Sequence, residues 1–147
     1  MAYIAPVSRG ENPSSHGISE TRDCTVRALA NALEIEYPEA HKATMKYRTK
    51  NRGMTIENVI ECYKRNGAIS TEFYGAKTVI WAKYRKISGV FHDKSMTIKS
   101  FMEANPFGKF IVIVRGHATV VENGQLVDTG RMKAGTRILA VFKFYVD

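Results

Sequence analysis

Apolar residues recur along this chain in two periods, and the change from one to the other separates a helical first part from a stranded last part. Val26, Leu29, Ala30 and Leu33 repeat at helical spacing behind two cap-forming residues, Thr21 and Asp23. A helix is therefore expected to begin at Cys24, with Asp23 as its N-cap. Cys24, Ala28 and Asn31, with Ala32 close by, lie on its other side, where small side chains let a second layer approach. A helix apolar around most of its circumference belongs in the interior. Tyr37-Pro38-Glu39 marks a second start, because proline suits the first turn and a carboxylate suits the positive dipole end; Ala40, Ala43 and Tyr47 supply its apolar stripe. Thr55 caps a third helix carrying Ile56, Val59, Ile60 and Tyr63, which Gly67 ends.

From Ala68 to Tyr74 the pattern alternates as a strand does. Residues 76–87 fit either period, and helix is the better reading. Thr97 caps a short helix with Ile98, Phe101 and Met102, which Asn105-Pro106 and Gly108 close. Phe110-Ile111-Val112-Ile113-Val114 is an unbroken apolar run suited to a strand buried on both faces. His117 to Val121 and Gln125 to Asp128 flank Asn123-Gly124, a strong hairpin signal, and a last strand is expected from about Arg137 to Val146. Early helices and late strands predict an α+β domain, with the Cys24 helix packed on a C-terminal antiparallel sheet. Residues 1–18, rich in Pro, Ser, Gly and Asn, read as an irregular arm, and residues 19–147 as a single domain.

Composition narrows the chemistry. Lys and Arg outnumber Asp and Glu by 22 to 14, a net charge of +8, which favours acidic partners: nucleic acid, an anionic surface or an acidic protein. Lys42, Lys46, Arg48, Lys50 and Arg52 concentrate that charge around Tyr47, so cations and an aromatic face stand ready for phosphates and a base. No nucleic-acid-binding signature accompanies them, and a solvated helix face is the plainer account. Two cysteines, Cys24 and Cys62, signal neither a disulfide framework nor a zinc site. His16, His41, His92 and His117 show no ligand spacing and no Gly-rich phosphate loop occurs, so no metal or cofactor is expected. Without a secretory start or a segment of membrane-spanning length, a cytoplasmic protein with no membrane partner is expected. Oligomeric state has no signature in the sequence.

Cys24 and the hairpin together suggest a reaction. A thiol in the first helical turn lies among unpaired backbone N–H groups at the positive dipole end, which favours its thiolate. If Asn123 and Gly124 are the central turn residues, Glu122 faces Gln125, Val121 faces Leu126, Val120 faces Val127 and Thr119 faces Asp128. Alternation then puts His117 on the face of Asp128 as a diagonal neighbour, with Cβ atoms about 7 Å apart. A bulge in either strand would reverse that parity. Cys24 as nucleophile, His117 as base and Asp128 as the group orienting the ring are the parts of an acyl-transfer site.

The order Cys24, then Gly116-His117-Ala118-Thr119-Val120-Val121, then Asn123-Gly124-Gln125-Leu126-Val127-Asp128 resembles the papain-like cysteine peptidase fold, particularly its compact peptidase C39-like domains. Arg22-Asp23-Cys24-Thr25-Val26-Arg27-Ala28-Leu29-Ala30 is similar to the nucleophile helix of small papain-like proteins of bacteriophages and bacteria. The resemblance implies a thiol hydrolase or acyl transferase acting on a peptide, isopeptide or other amide bond, in the host cytoplasm if the chain is phage-encoded. It carries Cys24, His117 and Asp128 over as the triad. Family members place a Gln before the Cys as an oxyanion donor, whereas the one Gln here is Gln125. The backbone N–H of Cys24 is then one candidate donor, with Ser19, Thr21 and Arg22 as candidates for another; losing such a donor costs about a hundredfold in rate. The alternative is a catalytically silent papain-like module, a phage accessory or structural protein, binding nucleic acid or an acidic protein through its basic surface.

Overall fold

The computed structural model describes residues 3–5, 23–47, 54–127 and 131–145. The Cys24 helix, α1 (Cys24–Leu33), is followed by α2 (Tyr37–Thr44), a 3-10 turn at Met45–Tyr47 and α3 (Ile56–Arg65), as the apolar spacing predicts. Strand β2 (Ser70–Tyr74), helix α4 (Ala76–Tyr84) and strand β3 (Val90–His92) come next, then α5 (Ile98–Ala104) and strands β4 (Lys109–Val114), β5 (His117–Glu122), β6 (Gln125–Val127), β7 (Met132–Lys133) and β8 (Ile138–Phe144). The segment that fits both periods is the helix α4. Among the described residues no helix is long and apolar enough to cross a membrane.

The fold is α+β, but its main sheet is mixed rather than antiparallel. Its strand order is β3-β2-β8-β4-β5-β6, and β2 and β3 run parallel, joined by α4 as the crossover. Parallel neighbours need such a connection, and the 70–92 stretch supplies it in the middle of the chain, where alternation alone does not reveal which strand pairs with which. Within the N-terminal arm, β1 (Tyr3–Ile4) pairs antiparallel with β7, and Ile4 packs on the apolar cluster beneath it.

Side-chain alternation divides the core into two layers. Phe73, Ile111, Ile113, Ala118, Val120, Ala140 and Phe142 face α1 to α4, while Tyr74, Val112, Val114, Val121 and Val141 face α5. Helix α1 is buried on nearly every side: Val26 and Leu29 are fully covered, Ala28, Ala30 and Ala32 almost so, between the sheet and α2. One bulge interrupts the register. Ile113 pairs with Ala140 but Val114 with Ile138, so Leu139 is the extra residue of β8. It turns Ile138 into the α5 layer and leaves Leu139 at the end of the sheet.

The Asn-Gly hairpin has the expected register, Val120 to Val127, Val121 to Leu126 and Glu122 to Gln125. Asn123 and Gly124 have φ of 50° and 75°, the pair of left-handed residues that a tight primed turn requires. Lys109, opposite Glu122 at the other end of β5, is buried, and its ammonium group lies 3.6 Å from Glu122 and 3.4 Å from Glu34, the left-handed residue that ends α1. This ion triad ties the C-terminal end of α1 to the sheet. Lys109→Ala, which removes the cation and its buried stem, is expected to lower unfolding free energy by about 2–3 kcal/mol in chemical denaturation, and Lys109→Met, which keeps the stem, by clearly less.

Candidate active site

Helix α1 starts where three other parts of the molecule converge. Asp23 occupies the N-cap position, but its carboxylate does not cap the helix: it accepts a hydrogen bond from the Tyr37 hydroxyl at 3.0 Å and lies 3.7 Å from Arg27, while its backbone carbonyl accepts from the Val26 and Arg27 N–H groups. The expected side-chain cap is thus replaced by a tertiary bond to α2. Tyr63, fully buried on α3, donates its hydroxyl to the Thr25 carbonyl at 2.9 Å. Burial first, and then the neighbouring thiols of Cys62 and Cys24, hold the Tyr63 phenol well above its ordinary range, so it remains a donor. Two tyrosines from two helices therefore brace the turn that carries Cys24.

The sulfur of Cys24 meets the imidazole of His117 and the backbone N–H of Ala118, both at the beginning of β5. Burial alone would push the thiol up. It is outweighed by the hydrogen bonds from His117 and Ala118 and by the positive charges of His117 and Arg27, so the Cys24 pKa lies below the ordinary thiol range. Cys62 shows the contrast. It is buried on α3 with the Asn66 side-chain nitrogen 3.8 Å away, and burial, which outweighs Asn66 and the more distant Lys46 charge, pushes its thiol up to about 11.

Sequence spacing thus brings Cys24 and His117 together, though not by the face argument. Ala118 and Val120 face α1, so strict alternation would turn His117 away with Val121. His117 escapes that rule as the first residue of β5, directly after Gly116 at φ 74°, where the strand ends and the ring reaches the helix terminus. Asp128 lies outside the described residues, as do Ser19, Thr21, Arg22, Arg48, Lys50 and Arg52. The Cys24 N–H, first in its helix, has no intrahelical acceptor and remains a candidate oxyanion donor. Lys42 and Lys46 are exposed, but the Tyr47 ring that was to stack a base is buried in the core with the Lys46 ammonium 5.1 Å from its centroid. Its apolar stripe position was the signal that packing, not stacking, would use it.

A cleft of about 830 Å³ opens over the Cys24 and His117 pair. Met54, Ile56 and Val59 of the α3 entry, Trp81 of α4 and Leu139 of the β8 bulge make it largely apolar, and Arg27 and Lys77 bring cations. Sequence reasoning missed these residues because they come from separate segments. Arg27 alone left a trace, standing four residues after Asp23 at the spacing of a helical ion pair. Among the described residues no group of three or more His, Cys, Asp and Glu is arranged to hold a metal ion. Protein-family models, curated proteins and solved structures were compared with the chain, and none matches.

Three measurements check this site. Alkylation of Cys24 by iodoacetamide, followed by peptide mass spectrometry, should reach half its maximal rate below the usual thiol value of about 8.5, falling as pH drops through the lowered pKa, whereas Cys62 should need pH near 11. In His117→Ala burial regains control, so Cys24 labelling at neutral pH should slow about tenfold or more. Tyr37→Phe strips Asp23 of its buried donor and should cost about 1–3 kcal/mol in denaturant unfolding.

Proposed function

We propose that this chain is a papain-like thiol hydrolase or acyl transferase acting on a peptide, isopeptide or other amide bond. The observation that supports this reading is the contact of Cys24, at the start of a buried helix, with the His117 ring, together with a thiol pKa below its ordinary range. His117 takes the thiol proton, giving a thiolate–imidazolium pair that Arg27 stabilises further. The thiolate attacks the carbonyl carbon, a C–S bond forms, and the oxyanion is received by the Cys24 N–H and a second donor assigned to the segment from Ser19 to Arg22. Collapse expels the amine, which leaves with the proton held by His117. Water or an acceptor amine, deprotonated by His117, then breaks the thioester and returns the thiol. Asp128 has the role of holding the imidazole. This chemistry calls for no metal and no cofactor.

The competing reading is a non-catalytic basic module that engages nucleic acid or an acidic protein, which the exposure of Lys42 and Lys46 favours. The burial of Tyr47 counts against its nucleic-acid form. Incubation with a mixed peptide library, read by mass spectrometry, separates the two. Cleavage or transfer products should appear with the unmodified chain and with Cys62→Ala, disappear with Cys24→Ala, and fall about a thousandfold or more with His117→Ala. An absence of both products and any acyl adduct on Cys24 would retire the enzyme reading.

A further inference from the structure

Among the described residues that line it, the cleft has one ionised group without a counter-charge. Asp23 and Arg27 face each other at 3.7 Å, and the Cys24 and His117 pair is neutral as a unit. Lys77, on the first turn of α4, is exposed and has no carboxylate partner among the described residues. The same helix presents Lys77, Ile80 and Tyr84 at spacings of three and four residues, on one outward face. Ile80 is 68% and Tyr84 80% exposed, an apolar pair left in water beside the cleft mouth. Lys83 and Lys86 are exposed near the end of this helix, Lys83 with its ammonium group 5.5 Å from the Phe91 ring centroid, whereas Arg85 is occupied by Glu57 at 3.4 Å and by the Trp81 ring. Met54, Val59 and Trp81 give the cleft that Cys24 lines an apolar wall.

From this arrangement we infer that the cleft takes an acidic polypeptide segment. An apolar side chain packs on that wall at Trp81, and a neighbouring aspartate or glutamate meets Lys77 as the chain continues over Ile80 and Tyr84. The inference rests on the reading of this cleft as the substrate groove of Cys24. Charge complementarity selects the acid, since the unbalanced lining charge is positive and isolated. A nucleic-acid strand fits less well, because its phosphates need a track of cations and the described lining of this cleft is largely apolar with Lys77 as its one unpaired lysine. The preference for an acid over its amide belongs to Lys77 and is a matter of specificity, outside the bond-breaking steps.

Trp81 is the one tryptophan of the chain and stands in the cleft wall, so its emission reports occupancy without any chemistry. Full-length Cys24→Ala is titrated with blocked hexapeptides carrying Leu or Phe beside Glu, Gln or Lys, and with a single-stranded oligothymidylate. Glu peptides should bind about fivefold tighter than Gln peptides and Lys peptides weakest, the differences shrinking in high salt. Lys77→Gln should equalise Glu and Gln peptides while Gln-peptide binding persists, which a misfolded variant would not show. Equal affinity for all three peptides, an unchanged ranking in Lys77→Gln, tighter binding of the oligonucleotide, or no emission change with any peptide would each overturn the inference. Iodoacetamide labelling of the unsubstituted chain keeps the two readings apart. Charge-selective binding with an unreactive Cys24 removes the enzyme and leaves the acidic-peptide groove, and a reactive Cys24 with charge-blind binding does the reverse.

Discussion

The meeting of the α1 N-terminus with the first residues of β5 is the contact on which the rest of this structure depends. A half-buried thiol is disfavoured as an anion by desolvation, and here desolvation is the largest single influence on Cys24. What reverses it is a set of short-range donors, the His117 ring and the Ala118 N–H, with Arg27 one helical turn away. Such donors act only over hydrogen-bonding distances, so the helix must be held in one axial and rotational position. Tyr37 and Tyr63 do that from two other helices, one through Asp23 and one through the Thr25 carbonyl. The ion triad at Lys109 holds the far end.

The sheet supplies the platform for that placement. β8 and β4 run through its middle, the Asn-Gly hairpin closes one side, and the parallel unit β2-α4-β3 extends the other. Both layers beside the sheet are apolar, so each strand is locked in parity by burial. The bulge at Leu139 is the local exception, and it falls where the cleft needs an apolar floor. Arg85, 3.4 Å from Glu57 and over the Trp81 ring, links the end of α4 to α3.

Charge is distributed in a manner the total of +8 does not convey. Lys109 is internal and neutralised, Arg27 and Arg85 are each matched by a carboxylate, and Lys42 and Lys46 project from α2 and the turn after it without an exposed aromatic beside them. Of the α4 cations only Lys77 lines the cleft, and it has no carboxylate partner among the described residues, whereas Lys83 lies over the Phe91 ring. A basic composition therefore says less about a partner than does the position of each cation, and Lys77 shares the cleft lining with Cys24.

Among the described residues the five helices and the strands β2, β4, β5, β6 and β8 were legible, though β3 and β7 were not, because helix and strand periods, caps and the Asn-Gly turn act within a few residues of one another. They were enough to locate the start of α1, the Thr55 and Thr97 caps, the hairpin register and the pairing of two distant residues, Cys24 and His117, as one candidate site. Tertiary structure alone decided the rest, since it depends on which segments share a surface. It made β2 and β3 parallel, buried Tyr47, gave Asp23 to Tyr37 instead of the helix cap, and assembled the cleft from α3, α4 and the Leu139 bulge. It also turned His117 toward α1, against strict alternation, because a residue at the end of a strand is no longer held to the pleat by neighbours on both sides.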